Sequence, residues 1–304
     1  MPWLHRIPFW LSWNGYRGSQ FFWPLFVLFK KQPDSKAVVL PNTFPLLKND
    51  KDWISKTIYE GTYERSLLHF LSSMKFSGMV VDIGANIGVT LWHGLKNCSN
   101  ETTFIAVEPS RQCFPGLNLT LSQLGIKGTV IECAVAQWNG IQTIYGIQNQ
   151  AHSGGASLID HDGLRGESEE VEVRKLDTIL EELCPGKTIS LLKIDTEGYE
   201  SFVLAGATEI LSSGLVELII LEVSPNFGEV GYLKNLKNAI GENYQWYALE
   251  ESGYIKRAPK LCITSLDSAL GRNHQWNLVL VRNDVVERNL ENRVKIFLKI
   301  KKSK

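Results

Sequence analysis

The chain has 304 residues, which is enough for one large domain with extensions or for two small domains. Hydrophobic residues make up 44% of it and charged residues 21%, so collagen-like, low-complexity and wholly disordered classes are excluded. The 32 basic and 32 acidic residues give a formal net charge of zero. Because the chain lacks an overall positive field, no nucleic-acid partner is predicted.

The cysteines and the apolar runs bear on cellular location. The five cysteines are widely spaced and form no Cys-x-x-Cys pair, which argues against a disulfide framework and a structural zinc site and favours a reducing compartment. The longest apolar run near the start covers residues 21–29 and contains Pro24, so it is shorter than the roughly 20 residues of a membrane span. The sequence therefore predicts a cytoplasmic protein.

Residues 1–58 are predicted to form an aromatic-rich N-terminal arm. The first 30 residues hold ten aromatic side chains and three lysines or arginines, but no acid. This composition suits peripheral contact with a membrane surface. It also suits an arm that packs on its own domain or on a second subunit, which is the more common case. The sequence leaves both interpretations open, and the oligomeric state with them.

Short apolar runs then alternate with helix-like stretches, which predicts a parallel sheet with helices between its strands. The predicted strands are β-branched runs bounded by turn residues, and they cover residues 79–83, 103–108, 128–133, 189–195 and 216–223. Two further strands are predicted at residues 244–250 and 276–281.

The strongest motif follows the first predicted strand. Asp82 closes the apolar run, and Gly84 and Gly88 punctuate the turn that opens a helix. Their spacing differs from the Gly-x-Gly-x-x-Gly dinucleotide fingerprint. A carboxylate at the turn repels a pyrophosphate but attracts S-adenosylmethionine, whose sulfonium and ammonium groups are positive. The turn therefore favours a methyl donor over NAD, and an NAD-dependent oxidoreductase is the weaker alternative.

A second acid closes the next predicted strand. Glu108 lies 20 positions after Gly88, about the distance at which nucleoside-binding α/β folds place the acid that binds the ribose hydroxyls. Glu108 is therefore the predicted ribose ligand. The adenine is expected near the end of the third strand, beside Ala134, and Cys133 is interpreted as a small buried hydrophobic residue.

Residues 141–173 are rich in β-branched residues and glycine, which predicts an inserted hairpin and loop. After it, Asp195 and Glu197 follow an apolar strand at the same sheet edge. If the acceptor is a hydroxyl, either carboxylate is a candidate proton acceptor. The alternatives are that Asp195 caps the next helix or binds the donor amine, and that Glu200 is a first-turn acid of that helix.

The remaining signals are weaker. His152 and His161 lie in the insertion and could reach an acceptor, and His93 follows the glycine turn. The chain has no His-x-x-His pair or mixed histidine–carboxylate spacing, so no metal is predicted. Residues 284–304 are predicted to form a basic amphipathic C-terminal helix.

The ordered motifs resemble the FkbM-type S-adenosylmethionine-dependent methyltransferases over about residues 59–282. The resemblance rests on the segments 59–64, 81–88, 107–109, 154–158, 173–177, 193–200, 203–207 and 276–279. It departs from the family at Thr196, where a valine is usual. It implies an α/β fold of the Rossmann-like class I methyltransferase type, with a seven-stranded, mostly parallel sheet and helices on both faces. It also places the donor site at Asp82, Gly84, Asn86, Gly88 and Glu108 and a second acidic motif at Asp195 and Glu197.

Together these observations predict a methyltransferase domain at residues 59–283 that uses S-adenosylmethionine to methylate a hydroxyl. The resemblance implies sugars and hydroxylated natural products as acceptors, so a small-molecule or glycan acceptor is expected, presented by the insertion. The alternative is a non-catalytic, membrane-associated protein that keeps the fold and docks through the arm.

Overall fold

The computed structural model describes residues 54, 57–58, 63–98, 100–147, 154–160, 167–223, 240–250, 260–263 and 276–285. Most of the predicted arm, His152, His161 and nearly all of the predicted C-terminal helix lie outside these residues, so those features stay predictions. None of the helices in the described ranges has the length and apolar character that a membrane span requires.

The chain alternates strands and helices in the described ranges. The strands are β1 Met79–Ile83, β2 Thr103–Val107, β3 Gly128–Ile131, β4 Ala134–Val135, β5 Gly140–Ile147, β6 Glu167–Arg174, β7 Ile189–Ile194, β8 Leu218–Val223, β9 Tyr244–Glu250, β10 Lys260–Ile263 and β11 Trp276–Arg282. The helices are α1 Arg65–Ser73, α2 Val89–Leu95, α3 Phe114–Leu124, α4 Leu176–Leu183, α5 Glu200–Ala205 and α6 Thr208–Ser212.

The main sheet has the strand order β10-β9-β11-β8-β7-β1-β2-β3. The strands from β8 to β3 in this order are parallel, whereas β11 runs antiparallel to β8 and to β9. This arrangement confirms the predicted Rossmann-like class I methyltransferase fold. Seven of the strands correspond to predicted ones, and β10 adds an eighth, antiparallel to β9, that the sequence analysis missed.

The central strands are mostly apolar because helices cover both faces of the sheet, and Asp82, Lys193 and Glu222 are buried charged exceptions. Every residue of β1, β7 and β8 is buried. Leu67 of α1, Leu91 of α2 and Leu117 of α3 pack in the hydrophobic cluster on one face. Ile179 of α4 and Val203 of α5 pack in the cluster on the other face.

The predicted insertion contributes β5 and β6 to a small second sheet of order β4-β6-β5, and these two strands pair antiparallel as the expected hairpin. Ser157 forms a bridge with Tyr145 of β5, and its hydroxyl donates a hydrogen bond of 2.9 Å to the carbonyl oxygen of Glu197. The insertion is thereby tied to the loop after β7.

The strand order reverses beside β1, because β2 and β3 lie on one side of it and β7 and β8 on the other. In open α/β sheets, ligands bind at such a reversal, outside the carboxyl ends of the strands. Three residues predicted to end strands lie just beyond them: Glu108 and Asp195 by one residue and Cys133 by two. They therefore belong to the loops at this edge.

Candidate active site

A cleft of about 230 Å³ opens at the carboxyl edge of the sheet where the strand order reverses. Six of the eight predicted site residues line it: Gly84, Asn86, Glu108, Ala134, Asp195 and Glu197. The other two, Asp82 in β1 and Gly88 at the start of α2, are not among the lining residues. The structure thus brings most of the predicted donor and acceptor residues to one place.

The turn after β1 depends on a glycine at position 84. Gly84 has a φ of +78°, and a Cβ atom there would lie 1.8 Å from the carbonyl oxygen of Asp195. The backbone N–H groups of Gly84 and Ala85 donate to the carbonyl oxygen of Val107, over 2.9 and 3.0 Å. The donor-side turn is therefore fixed between the ends of β2 and β7.

Glu108 has the geometry of a ribose ligand. Its Oε2 accepts a hydrogen bond from the backbone N–H of Asn86 over 2.9 Å, and its Oε1 accepts one from Ser110 over 2.8 Å. Burial raises the pKa of Glu108 to about 7, although these two N–H groups favour the charged form. Each carboxylate oxygen can accept a further hydrogen bond, as two ribose hydroxyls require.

Asp82 lies behind the cleft and is 1% exposed. Neither of its carboxylate oxygens has a hydrogen-bond partner among the described residues. Burial raises the pKa of Asp82 to about 7, against the effect of the Lys193 ammonium. Asp82 therefore lies beneath the cleft and does not line it.

The substitution Asp82→Asn should change how stability depends on pH. Because the folded-state pKa is raised from 3.8 to about 7, the folded protein binds more protons than the unfolded one in this window, and stability falls as the pH rises through it. One pKa unit corresponds to about 1.36 kcal/mol. As the pH is raised from 4 to 8, the free energy of unfolding of the variant should therefore rise by about 2–4 kcal/mol relative to that of the wild type. Urea unfolding at both pH values measures this, and parallel pH curves would contradict it.

Lys193 is a buried cation at the same edge. It lies opposite Asp82 in the parallel pairing of β1 and β7, and its Nζ is 2.6 Å from Oδ2 of Asp195. Burial disfavours the charge of Asp195, but the Lys193 ammonium together with hydrogen bonds from Glu222 and Lys193 holds the pKa of Asp195 below its ordinary value. Burial also opposes the charge of Lys193, yet Asp195 and Asp82 raise its pKa. The Lys193–Asp195 ion pair is therefore largely buried at this edge of the sheet.

Two acids that the sequence analysis missed also line the cleft, Glu64 and Glu222. One carboxylate oxygen from each of Glu64, Asp195 and Glu222 lies within 4.8 Å of the other two. Burial, reinforced by the Asp195 carboxylate, raises the pKa of Glu222 well above its ordinary value. An acid inside the apolar run of β8 was the available signal for Glu222. Glu64 ends the segment 59–64, which contributed to the family resemblance but was given no role in the site.

Glu197 and Glu200 have different roles in the loop after β7. Burial and the carboxylates of Asp195 and Glu200 raise the pKa of Glu197 to about 8. Glu200 begins α5, and its Oε1 accepts hydrogen bonds from the N–H groups of Thr196, over 2.8 Å, and Gly198, over 3.2 Å. This confirms that Glu200 is a first-turn helix acid, which shapes the loop that carries Glu197.

Backbone strain is concentrated in the cleft. Among the described residues, the non-glycine residues with positive φ are Glu64, Asn86 and Glu197, at +34°, +47° and +53°. All three line the cleft. Left-handed backbone is unfavourable for residues with a side chain, and such strain tends to occur at functional sites.

The lining residues fit a nucleoside methyl donor. The Glu108 carboxylate suits ribose hydroxyls, and the buried Oδ1 of Asn86 has no partner among the described residues, so it can accept a hydrogen bond from a ligand. Ala134 and Cys133 supply an apolar wall. Cys133 is fully buried, and burial raises the pKa of its thiol to about 12, which confirms its interpretation as a small hydrophobic residue.

Solved structures similar to the chain are methyltransferases by their descriptions. The O-methyltransferase TomG from Streptomyces achromogenes is 12% identical, with a TM-score of 0.38 over 72% of this chain and 79% of that chain. The precorrin-6y C5,15-methyltransferase from Geobacter metallireducens GS-15 is 9% identical, with a TM-score of 0.38 over 71% of this chain and 87% of that one. A search of curated protein sequences gave no match.

The sequence profile of the methyltransferase FkbM domain matches residues 82–255, which is more than half of the chain. This match runs from the last two residues of β1 through β9, and it includes the glycine turn, Glu108 and both acids of the loop after β7. It supports the predicted enzyme class and S-adenosylmethionine as the cofactor. The chain belongs to the FkbM family of methyltransferases.

Proposed function

We propose that the chain is an S-adenosylmethionine-dependent O-methyltransferase that acts on a hydroxyl of a sugar or of a hydroxylated natural product. This proposal rests on one observation: residues that suit the methyl donor and residues that could accept a proton line the same cleft. Gly84, Asn86 and Glu108 suit the donor, and the carboxylates of Asp195 and Glu197 lie across the strand reversal from them.

The chain's own residues can perform the steps that such a transfer needs. The sulfonium of S-adenosylmethionine supplies a methyl group that is already activated for displacement. Glu108 and the turn at Gly84 hold the nucleoside, so the remaining task is to align the acceptor oxygen and remove its proton. As the O–C bond forms and the S–C bond breaks, the proton passes to a carboxylate, for which Asp195 and Glu197 are the candidates by position.

We also propose that the insertion, residues 141–173, presents the acceptor. Ile144 of β5 and the segment from Ala156 to Leu158 line the same cleft as Asp195. The hydrogen bond from Ser157 to the backbone of Glu197 ties this wall to the acidic loop. The boundaries 1–58, 59–283 and 284–304 belong to the same proposal. Limited proteolysis with mass mapping would test the boundaries, because cleavage should start near residues 58 and 284.

Labelled-donor mass spectrometry tests the proposed function. The full-length protein is incubated with a cell extract and S-adenosylmethionine that carries an isotopically labelled methyl group. A new small molecule or glycan that carries the label on oxygen, as located by tandem fragmentation, is expected. Two results would contradict O-methylation. One is a label found only on nitrogen or carbon, and the other is the absence of any labelled product when the protein is shown to bind S-adenosylhomocysteine.

Once an acceptor is known, Asp195→Asn should lower turnover by about 100-fold or more, the scale for losing a positioned proton acceptor. Donor affinity should change much less, because the ribose and turn contacts come from Glu108 and Gly84. Steady-state kinetics and S-adenosylhomocysteine titration measure the two effects separately. A loss confined to donor affinity would reassign Asp195 to the donor amine. Glu209→Gln, at an exposed acid on α6, is the control.

A further inference from the structure

Polar residues from three adjacent strands meet on one face of the sheet at its carboxyl edge. The antiparallel pairing of β8 and β11 sets Glu222 directly opposite Asn277, so both side chains project from the same face. The parallel pairing of β7 and β8 ends with Ile194 opposite Leu221, which brings Asp195 beside Glu222. Glu64, just before α1, approaches this row closely enough to join it.

Three carboxyl groups of this row lie close together. The oxygens of Glu64, Asp195 and Glu222 lie within 4.8 Å of one another, and the carboxyl groups of Asp195 and Glu222 are hydrogen-bonded to each other. Lys193 Nζ pairs with Oδ2 of Asp195 over 2.6 Å. A hydrogen bond between two carboxyl groups needs a shared proton, and a divalent cation that displaces this proton would meet oxygens of all three acids.

Asn277 supplies a second, independent observation, a buried amide oxygen that can act as a neutral ligand. It is 7% exposed, and its buried Oδ1 has no hydrogen-bond partner among the described residues. A buried amide oxygen without a donor is costly. It projects from the same face as the carboxylate of Glu222, one strand away. Hard divalent cations are bound by carboxylate oxygens together with neutral amide or carbonyl oxygens.

We propose that Glu64, Asp195 and Glu222 bind a hard divalent cation such as Mg²⁺ or Mn²⁺, with the amide oxygen of Asn277 as a further ligand. The set contains oxygen ligands alone, which suits these ions better than the softer metals that prefer cysteine or histidine. The sequence analysis predicted no metal because the three acids are far apart in the chain and the fold alone brings them together.

The position of the site suggests its role in the reaction. Asp195 lies at the strand reversal and borders the donor residues, whereas Glu222 and Asn277 lie one and two strands further out. An ion there would hold oxygens of the acceptor and lower the pKa of the hydroxyl to be methylated, and with Asp195 bound to the ion Glu197 would be the proton acceptor. This role rests on the proposed function, but the existence of the cation site does not.

Mn²⁺ binding, followed by the loss of the free-ion electron paramagnetic resonance signal, tests the site without donor or acceptor. The full-length protein should bind Mn²⁺ at a single stoichiometric site, and excess Mg²⁺ should displace it. Glu222→Gln and Glu64→Gln should each weaken binding at least about tenfold, the smallest loss usual when a metal site is disturbed. Glu209→Gln should bind as the wild type does.

The controls separate a lost ligand from a lost fold. Glutamine keeps the size of glutamate, and thermal unfolding reports whether each variant is folded; Glu64 is the half-buried member of the pair and the second, safer variant. Absence of a stoichiometric Mn²⁺ site in the wild type, or equal affinity in both folded variants, would overturn the proposal. A protein that binds Mn²⁺ but transfers no methyl group would overturn the proposed function and leave the cation site standing.

Discussion

Gly84→Ala should destabilise the protein by about 3 kcal/mol or more and abolish donor binding, since it combines left-handed backbone strain with overpacking. The new Cβ would lie 1.8 Å from the carbonyl oxygen of Asp195, and backbone cannot rotate away as a side chain can. Relief requires the turn after β1 to separate from the end of β7. Urea unfolding and S-adenosylhomocysteine titration measure the two effects.

The chain offers a matched control at Gly125, the residue after α3. Its φ is +64°, and a Cβ atom there would meet nothing within 4 Å. Gly125→Ala therefore carries the backbone strain without the collision and should cost about 1–2 kcal/mol. Donor affinity should not change. If the two alanine variants were equally stable, the contact between Gly84 and Asp195 would not matter for the fold.

Glu108→Gln should weaken S-adenosylhomocysteine binding by about 10- to 100-fold, which corresponds to the 1–3 kcal/mol of a buried polar group that loses its partners. The carboxylate accepts from the N–H groups of Asn86 and Ser110 with its two oxygens. An amide has one oxygen, so its NH₂ group would face one of these donors and could not accept from a ribose hydroxyl. Titration calorimetry at pH 8, above the pKa of about 7, measures the loss with Glu108 ionised in the wild type.

Glu132→Gln is the control for this substitution. Glu132 follows β3 near the same edge but is exposed, and it pairs with Arg111 at the surface. Surface ion pairs contribute little, so neither donor affinity nor stability should change appreciably. Unchanged donor affinity in folded Glu108→Gln would remove Glu108 from the donor site.

The central sheet could be predicted from the sequence because its strands are buried on both faces. β1, β7 and β8 are buried along their whole length and mostly apolar, and turn residues delimit these runs clearly. The strands that were missed lack that pattern. β4 has two residues, and β10 is a four-residue edge strand, so neither is long enough to show a periodicity.

The candidate site was predicted in part for a similar reason. Glu108 and Asp195 directly follow buried strands, and the carboxyl ends of parallel strands meet at one edge, so their proximity follows from the sheet alone. Glu222 lies within a strand, and Glu64 reaches the cleft from the start of α1. Their meeting depends on how α1 packs over the sheet, and spacing along the chain does not determine that packing.

The close approach of Gly84 to Asp195 has a thermodynamic consequence. The turn after β1 and the acidic loop after β7 touch at this backbone contact, so binding at one can affect binding at the other. Cooperativity between two sites is reciprocal in its free energy. If nucleoside binding changes the affinity for a ligand at the outer strands by some factor, that ligand must change the affinity for the nucleoside by the same factor.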